Sequence, residues 1–169
     1  MQTNIAPQLQ TGCAQPYVAI AVRINHDKWD MLDAVIIELT DWLSLNGVKV
    51  AGPLFYRYWT LGNLEMLNIE VGYPVATKVQ SNGHIIIGTI PKGTFATLVN
   101  CGPPGSISSS LNSIQCWADE QGIYWKHERQ NGKQVWAGCF EFCLTNPLEL
   151  ADKSQCRTAL ALLINDETS

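Results

Sequence analysis

The sequence is short of charge and has no cluster of positive residues. Charged residues make up 15% of it, against roughly 25% in an average soluble domain. The 11 Lys and Arg residues are outnumbered by 15 Asp and Glu residues, which gives a formal net charge of -4, and they are scattered singly. Because nucleic-acid binding needs clustered Lys and Arg to neutralise phosphates, we expect no direct contact with nucleic acid.

Long apolar runs and targeting signals are also missing. The longest apolar runs, at 85–87 and 160–164, are far shorter than the roughly 20 residues that cross a bilayer. The residues at 1–12 are polar and show neither the basic start nor the apolar stretch of a signal peptide. We therefore expect no membrane association and a cytoplasmic location, where the six cysteines would be reduced thiols.

Sequence motifs for metals, phosphates and hydrolytic serines are lacking as well. The histidines have no metal-ligand spacing such as His-Glu-x-x-His, and the glycine-rich stretches match neither phosphate-loop pattern. The sequence contains no Gly-x-Ser-x-Gly, the turn that exposes a nucleophilic serine. We therefore expect no metal and no cofactor.

The sequence does have the apolar and aromatic content of a folded domain. It is 46% hydrophobic and includes six Trp, five Tyr and four Phe residues, enough for a core and a pocket. Its 169 residues fit one domain. We predict a flexible leader at 1–15 and a single domain at 16–169.

Two halves of the domain show the same order of predicted elements. Strands are predicted from β-branched and alternating runs, and helices from apolar residues spaced three or four apart. The first half, about 16–80, has a strand at 17–24, a helix stripe at 29–43, and strands at 53–60 and 64–75. The second half, about 81–150, has a strand-like stretch at 85–90 and 94–100 that is broken at Pro91-Lys92-Gly93, then a helix stripe at 107–118 and strands at 123–129 and 134–145. A last strand follows at 157–164.

The register of the two halves supports an internal repeat. Trp42 and Trp117 each lie five residues before a glycine, Gly47 and Gly122, that ends the predicted helix. The sequence therefore predicts an α+β fold: a tandem βαββ repeat with pseudo-twofold symmetry, helices on one face of antiparallel sheets, and a groove between the halves.

One glutamate falls in the last predicted strand of each half: Glu70 in the first and Glu141 in the second. Since side chains alternate between the faces of a strand, Glu70 lies opposite the row that contains Ile69 and Val71, and Glu141 lies opposite Phe140 and Phe142. If the bulky rows pack on the helices, both carboxylates face away from the helices into the space between the halves. The alternative is that this second face is wet and both are ordinary solvated glutamates.

A groove with carboxylates and aromatic walls would suit lipophilic cations. A carboxylate held among aromatic rings is desolvated, so its charged form is stabilised by a cation. Each aromatic face adds a cation–π attraction of roughly 0.5–2 kcal/mol. Neither attraction requires directional hydrogen bonds, so ligands of varied shape would be accepted.

Five segments, in order along the chain, resemble signature segments of one protein family. They are Gly52-Pro-Leu-Phe-Tyr56, Leu67-Asn-Ile-Glu-Val-Gly-Tyr-Pro-Val75, Gly102-Pro-Pro-Gly-Ser106, Phe140-Glu-Phe-Cys-Leu-Thr-Asn-Pro147 and Asp152-Lys-Ser-Gln-Cys-Arg-Thr158. On these segments the chain resembles, from about Tyr17 to Ile164, the gyrase-inhibitor-like (GyrI-like) domains. Such domains also occur as effector-binding domains of multidrug-sensing transcription regulators.

The resemblance implies a duplicated βαββ unit with a ligand groove lined by a glutamate and aromatic residues. Carried over by position, Glu141 is the first candidate for the acidic ligand contact and Glu70 the second. Tyr56 and Tyr73 are candidate aromatic contacts, and Trp59 is a further one. No metal ligand is implied.

The chain departs from the family signatures at four positions. Cys143 stands where the signature has a tyrosine, and Asn146 stands where it has an aspartate before the proline. Cys156 replaces a tryptophan, and Ala159 replaces an acidic residue. Ligand preference is therefore expected to differ from that of typical members.

Three functions follow as hypotheses. The first is a stand-alone effector-binding module for small, cationic or amphipathic organic molecules, since no helix-turn-helix fits before the domain. The second is a hydrolase of cyclopropane-containing electrophiles, as some GyrI-like proteins are, with Glu141 as general acid or base. The third is a protein partner of DNA gyrase, for which a net charge of -4 is thin support. The small-molecule ligand and any protein partner, a transcription regulator or gyrase, stay unidentified.

Overall fold

The computed structural model of the chain describes residues 6–60 and 66–166, apart from the side chain of His26. This part of the chain contains ten strands, two α-helices and two short 3₁₀ helices. The helices are α1 (Leu32–Leu45) and α2 (Ser108–Gln121), and the 3₁₀ helices are His26–Met31 and Lys153–Gln155. The strands are β1 (Gln8–Gly12), β2 (Gln15–Asn25), β3 (Phe55–Tyr58), β4 (Met66–Pro74), β5 (Ile85–Ile90), β6 (Gly93–Cys101), β7 (His127–Gln130), β8 (Lys133–Trp136), β9 (Cys139–Cys143) and β10 (Arg157–Leu163). Within these residues, neither α-helix has the length and apolar character needed to cross a membrane.

Both α-helices form where the apolar spacing predicts them. In α1 the buried residues Leu32, Ile36, Leu39 and Leu43 recur at three- and four-residue steps, which makes one buried stripe. The α2 helix ends at Gly122, which has a φ of 70° in the left-handed region that glycine adopts without strain. The predicted stripe from Trp29 begins too early, because Trp29 lies in the preceding 3₁₀ helix.

Eight strands form one antiparallel sheet in the order β1-β6-β10-β9-β3-β4-β2-β5, and β7 and β8 form a separate hairpin. The pairing of β3 with β9 joins the first half of the chain to the second. Outward from this seam the strands run β3, β4, β2 on one side and β9, β10, β6 on the other. A large antiparallel sheet with two helices confirms the predicted α+β class.

The strand arrangement of the second half differs from the prediction. The predicted strand at 134–145 divides into β8 and β9 at Ala137-Gly138. At Gly138 a Cβ atom would lie 2.9 Å from the side chain of Leu163, and the Leu163 N–H donates to the Gly138 carbonyl at 2.8 Å. The hairpin of β7 and β8 is separate from the main sheet, and β10 takes the place beside β9 that the sequence assigns to 123–129.

Part of the segment predicted as a flexible leader, 1–15, forms a strand. Gln8–Gly12 forms β1 and pairs with β6 along its whole length, from Gln8 opposite Thr97 to Gly12 opposite Gly93. All five residues of β1 are exposed, so the strand carries no apolar alternation that could reveal it in the sequence. The predictions for 1–5, for the start of the strand at 64–65, and for 167–169 lie outside the described residues.

Two short connections show that the sheet is strongly curled. Only Cys13 and Ala14 join β1 to β2, and only Pro91 and Lys92 join β5 to β6. Each of these strand pairs is six places apart in the sheet, which would be about 29 Å in a flat sheet at 4.8 Å per strand. Three peptide units reach at most about 11 Å. The sheet must therefore curl until its two edges approach each other at this end.

The curled sheet has a different core on each face. The outer face packs on the helices through residues such as Ile36 of α1, Ile114 of α2, and Val71 and Leu160 of the sheet. The inner face is buried by the sheet itself, in a cluster built on Phe55, Phe95, Phe140, Tyr17, Ala19, Ala137, Ala161 and Leu163. Consequently, polar side chains on either face can be removed from water.

Candidate functional site

The two predicted glutamates lie on opposite faces of the sheet. Glu70 in β4 lies opposite Arg57 in β3 and faces inward, as the alternation in β4 predicts. Glu141 in β9 lies opposite Tyr56 in β3, and the Tyr56 side chain packs in the core beneath the helices. The prediction that Glu141 faces away from the helices is therefore wrong. The reason is that Phe140 packs in the inner aromatic cluster, and Phe142 packs against it, rather than on the helices.

The Glu141 carboxylate is fully buried, with 0% of the residue exposed. The Tyr58 hydroxyl donates a hydrogen bond to its Oε1 atom at 2.7 Å. The Gly105 N–H donates to the same oxygen at 3.1 Å and lies 3.4 Å from Oε2. Within residues 6–60 and 66–166, no lysine or arginine forms an ion pair with Glu141. The site therefore holds a carboxylate with neutral hydrogen-bond donors.

Aromatic rings and a glycine turn cover this carboxylate. Trp29 stacks on Tyr58 with ring centroids 6.1 Å apart and meets Tyr56 edge-on at 5.2 Å. Gly105 has a φ of 89°, and a Cβ atom there would lie 2.8 Å from the Trp29 ring. Only glycine allows the turn to approach Trp29 this closely while its N–H reaches Glu141. We call Glu141, Tyr56, Tyr58, Trp29 and Gly105 the acidic–aromatic site.

A buried polar group at this site, the Trp29 indole N–H, has no hydrogen-bond partner. Thr158 lies on β10 two residues before Leu160, which pairs with Glu141, so its side chain shares the Glu141 face. The Thr158 hydroxyl there stabilises the charged form of the Glu141 carboxylate. Because a buried unpaired polar group costs about 1–3 kcal/mol, the Trp29 N–H needs an explanation, and a ligand that reaches it would supply one.

Burial controls the protonation of the site. It raises the pKa of the Glu141 carboxyl above its usual value, although the hydrogen bonds from Tyr58, Thr158 and Gly105 act in the opposite direction. Burial, and the nearby Glu141 charge, also raise the pKa of the Tyr58 hydroxyl. Tyr58 therefore stays a hydrogen-bond donor to Glu141 at neutral pH, and burial favours the neutral form of Glu141 over the charged form.

The departure at Cys143 alters the wall of the acidic–aromatic site. Cys143 is a buried free thiol on the same face as Glu141. Burial raises its pKa to about 12, so it stays neutral at physiological pH. A small thiol here leaves Tyr56, Tyr58 and Trp29 as the aromatic groups that surround the carboxylate.

On the inner face, Glu70 belongs to a buried polar network. The Tyr17 hydroxyl donates to Glu70 Oε1 at 2.6 Å, and the Trp59 indole N–H donates to Glu70 Oε2. Arg57 donates from Nη1 to the Tyr17 oxygen at 2.8 Å and from Nη2 to the Ala137 carbonyl at 3.0 Å. The hydroxyl of Tyr17 thus bridges a guanidinium and a carboxylate.

Aromatic rings complete the surroundings of Arg57. Its guanidinium carbon lies 3.9 Å from the centroid of the Trp59 ring and 5.1 Å from that of Phe140. Arg57 is 5% exposed and Glu70 is 7% exposed, so both charged groups are largely shielded from water. Unlike Glu141, Glu70 already has an internal cation nearby, and a ligand is not needed to balance its charge.

The structure brings together some of the predicted site residues and separates others. Glu141 and Tyr56 lie side by side at the acidic–aromatic site, whereas Glu70 and Trp59 hydrogen-bond to each other on the inner face. Tyr73 is half-buried on the outer face and packs against the cores beneath α1. The predicted single groove containing all five residues is therefore not what the structure has.

Sequence reasoning missed Tyr58, Trp29 and Gly105. Tyr58 follows Tyr56 by two residues in β3, so the alternation that places one of them also places the other. The apolar spacing places Trp29 in the core stripe of a helix. Nothing in the sequence indicates that the turn at Gly105 approaches Glu141, since the two are 36 residues apart.

Comparison with known proteins defines the fold. No protein-family model and no curated protein matches the sequence. Among solved structures, the EcmrR C-terminal domain is similar with a TM-score of 0.75 and 14% identity, over 95% of this chain and 98% of that domain. EcmrR in its complex with DNA is similar with a TM-score of 0.77 and 13% identity, and there the alignment spans 95% of this chain and 57% of the EcmrR chain.

Two further structures share the fold at lower similarity. A hydrolase from Listeria innocua aligns over 95% of this chain and 92% of its own, with a TM-score of 0.62 and 10% identity. SAV2435 bound to tetraphenylphosphonium aligns over 96% of this chain and 95% of its own, with a TM-score of 0.56 and 11% identity. At these identities the comparisons show the fold, and they confirm the GyrI-like resemblance at that level.

Proposed function

We propose that this chain is a binding domain for small organic cations, held at the acidic–aromatic site. The observation that carries the proposal is a carboxylate, Glu141, that is fully buried and has no cationic partner within the described residues. Buried carboxylates in proteins are normally paired with a cation or bind a metal. Here the hydrogen-bond donors are neutral, so the missing positive charge would come from a ligand.

The surroundings of Glu141 favour a bulky lipophilic cation over a small inorganic one. Three aromatic rings, from Trp29, Tyr56 and Tyr58, lie around the carboxylate. Each ring face adds roughly 0.5–2 kcal/mol of attraction to a cation placed over it. A lipophilic cation also loses little hydration when it is buried, whereas a compact ion such as ammonium loses a great deal.

The position of the site agrees with a groove between the halves, although it lies on the helix face. Its floor is formed by β3 and β9, the strands at the seam, with α1 packed on one half of the sheet and α2 on the other. A tandem repeat with pseudo-twofold symmetry would place such a floor on the symmetry axis. The order of the strands outward from the seam supports this arrangement.

Ligand entry requires the cover over Glu141 to move. Trp29 is in a 3₁₀ helix, with non-helical backbone angles at Lys28, and Gly105 is in the loop before α2. Neither segment belongs to the sheet, so both can shift without breaking strand pairing. Displacing Trp29 would open the carboxylate and expose the ring faces of both tyrosines together.

Two of the solved structures support this proposal. SAV2435 was solved with tetraphenylphosphonium, a lipophilic cation. The EcmrR domain aligns with this chain over nearly its full length. The match covers 57% of the EcmrR chain in its complex with DNA. A role in transcription regulation is therefore proposed here, and the shared fold does not show it.

Thermal unfolding with tetraphenylphosphonium and a matched variant tests the proposal. A ligand that binds only the folded state at 100 times its Kd stabilises by about 2.7 kcal/mol, so the wild-type Tm should rise with ligand concentration. Glu141→Gln should abolish the rise, because it removes the charge while keeping the acceptor for Tyr58. Glu120→Gln removes an exposed carboxylate and should retain the rise. An equal rise in the Glu141→Gln variant would refute the assignment.

A hydrolase is the second candidate, supported by the raised pKa of Glu141. Burial raises the pKa of the Glu141 carboxyl, which favours the protonated form that a general acid needs, and Tyr58 is hydrogen-bonded to it. Steady-state assays with cyclopropane-containing electrophiles distinguish the two functions. A hydrolase should show turnover whose rate constant falls in Glu141→Gln, whereas a binding domain should show binding without turnover.

A further inference from the structure

The inner side of the curled sheet contains a cavity that is separate from the acidic–aromatic site. Its volume is about 440 Å³, and it lies beside β1, β6, β9 and β10, at the crossing from β5 to β6. This volume falls in the range of roughly 300–1,000 Å³ that is typical of small-molecule sites. Curled sheets of about eight strands have an interior that either fills with side chains or holds one small ligand.

Small side chains on one strand explain why the interior is hollow at this end. Ala159 and Ala161 are alternate residues of β10 and line the cavity. Their cross-strand neighbours on the same face include Phe142 on β9 and Val99 on β6. Two alanines between larger side chains leave an open channel along β10, whereas the other end of the interior is filled by the aromatic cluster.

The lining of this cavity is apolar and uncharged. Phe95, Phe142 and Ile90 contribute to its walls, and none of the described residues that line it is an aspartate, glutamate, lysine or arginine. A charged ligand would lose its hydration here and find no counter-charge, which is costly. An uncharged ligand gains about 25 cal/mol for each Å² of apolar surface that it buries.

The rim of the cavity provides polar groups. Gln8 and Gln10 on β1 are exposed and line the cavity, and the hydroxyl of Thr97 beside them donates to the Gln8 carbonyl. Amide side chains can donate to a carbonyl or accept from a hydroxyl. The rim would therefore accept one neutral hydrogen-bonding group of a ligand whose apolar part lies inside.

We propose that this cavity is a second binding site, for an uncharged and largely apolar small molecule with one hydrogen-bonding group. The site is independent of the proposed function at Glu141, because the two lie on opposite faces of the sheet and share no residue. The difference in charge between them separates their ligands: a cation on the outer face and a neutral molecule on the inner face.

Binding of N-phenyl-1-naphthylamine, a neutral dye that fluoresces in apolar surroundings, tests the second site. Wild-type protein should give saturable fluorescence. Ala159→Phe, which fills the cavity, should weaken binding at least tenfold, whereas Ala151→Phe, an exposed control, should not. Glu141→Gln should leave dye binding unchanged, and tetraphenylphosphonium should not displace the dye. No saturable binding, equal binding by the Ala159→Phe variant, or displacement by the cation would each overturn the proposal.

A measurement on the wild-type chain serves if the Ala159→Phe variant does not fold. Cys13 is exposed and lines the cavity, whereas Cys116 is an exposed free thiol of α2, on the helix face. Saturating dye should slow the alkylation of Cys13 by iodoacetamide several-fold and leave that of Cys116 unchanged, as read by peptide mass spectrometry. Equal rates at Cys13 with and without the dye would place the dye elsewhere and refute the site.

Discussion

Replacing Glu141 with glutamine should change how stability depends on pH. Burial raises the pKa of Glu141 in the folded protein above its ordinary value of 4.5. The folded state therefore holds a proton that the unfolded state has released, in the window between these two pKa values. The free energy of unfolding must then fall as pH rises through that window.

The size of the effect follows from linkage. Each unit by which the folded pKa exceeds the unfolded one lowers the free energy of unfolding by about 1.4 kcal/mol once pH exceeds both values. The fall has a slope of at most about 1.4 kcal/mol per pH unit. Glu141→Gln removes the titrating group but retains an acceptor for the bonds from Tyr58 and Gly105. The variant should therefore gain stability relative to wild type as pH increases.

Urea unfolding followed by tryptophan fluorescence between pH 4.5 and 8.5 measures this difference. The free energy of unfolding of the Glu141→Gln variant minus that of wild type should be smallest near pH 4.5. It should grow with pH, with a slope of at most about 1.4 kcal/mol per pH unit, and then level off above the folded pKa. Glu120→Gln, which removes a surface carboxylate, serves as the control. A difference that stays constant, or that shrinks as pH rises, would refute the claim that burial dominates at Glu141.

Two further substitutions test the contacts on each face. Gly105→Ala places a Cβ atom 2.8 Å from the Trp29 ring at a φ of 89°. It should therefore lower the free energy of unfolding in urea by about 1–2 kcal/mol and increase acrylamide quenching of Trp29. Unchanged stability and quenching would show that the turn does not press on the ring. Tyr17→Phe removes the hydroxyl that Glu70 and the Arg57 guanidinium share, so it should lower the free energy of unfolding by about 1.5–3 kcal/mol. Tyr124→Phe, at an exposed tyrosine, is the control. A loss of stability no larger than that of the control would show that the Tyr17 hydroxyl does not stabilise the network.

The sequence predicts the first half of the sheet better than the second, for a physical reason. In β4 the alternation of Leu67, Ile69 and Val71 with polar residues assigns each face, because only the outer face is apolar there. In β9 both faces are apolar, since Phe140 packs inward while Cys139 and Cys143 pack under the helices. Hydrophobic alternation cannot decide a face when both are buried.

The sequence predicts individual residues of the candidate site but not the contacts that bring them together. The strand pattern and the resemblance both indicate Glu141, and the resemblance indicates Tyr56; both lie at the acidic–aromatic site. The hydrogen bond from Gly105 to Glu141 joins residues that are far apart in sequence. The strand β1 forms through backbone pairing of polar residues with β6. Neither leaves a periodic pattern, so neither can be read from a single chain.

The short strand β3 explains how one sheet supports two different carboxylates. Its alternate residues point to opposite faces, so Tyr56 and Tyr58 surround Glu141 while Arg57 faces Glu70. A slip of one residue would move the guanidinium beneath the helices and turn both tyrosines into the inner core, because register and face are linked in a strand. The hydrogen bonds of Arg57 to Tyr17 and to the Ala137 carbonyl oppose such a slip. The inner network therefore fixes the register on which the geometry of the outer site depends.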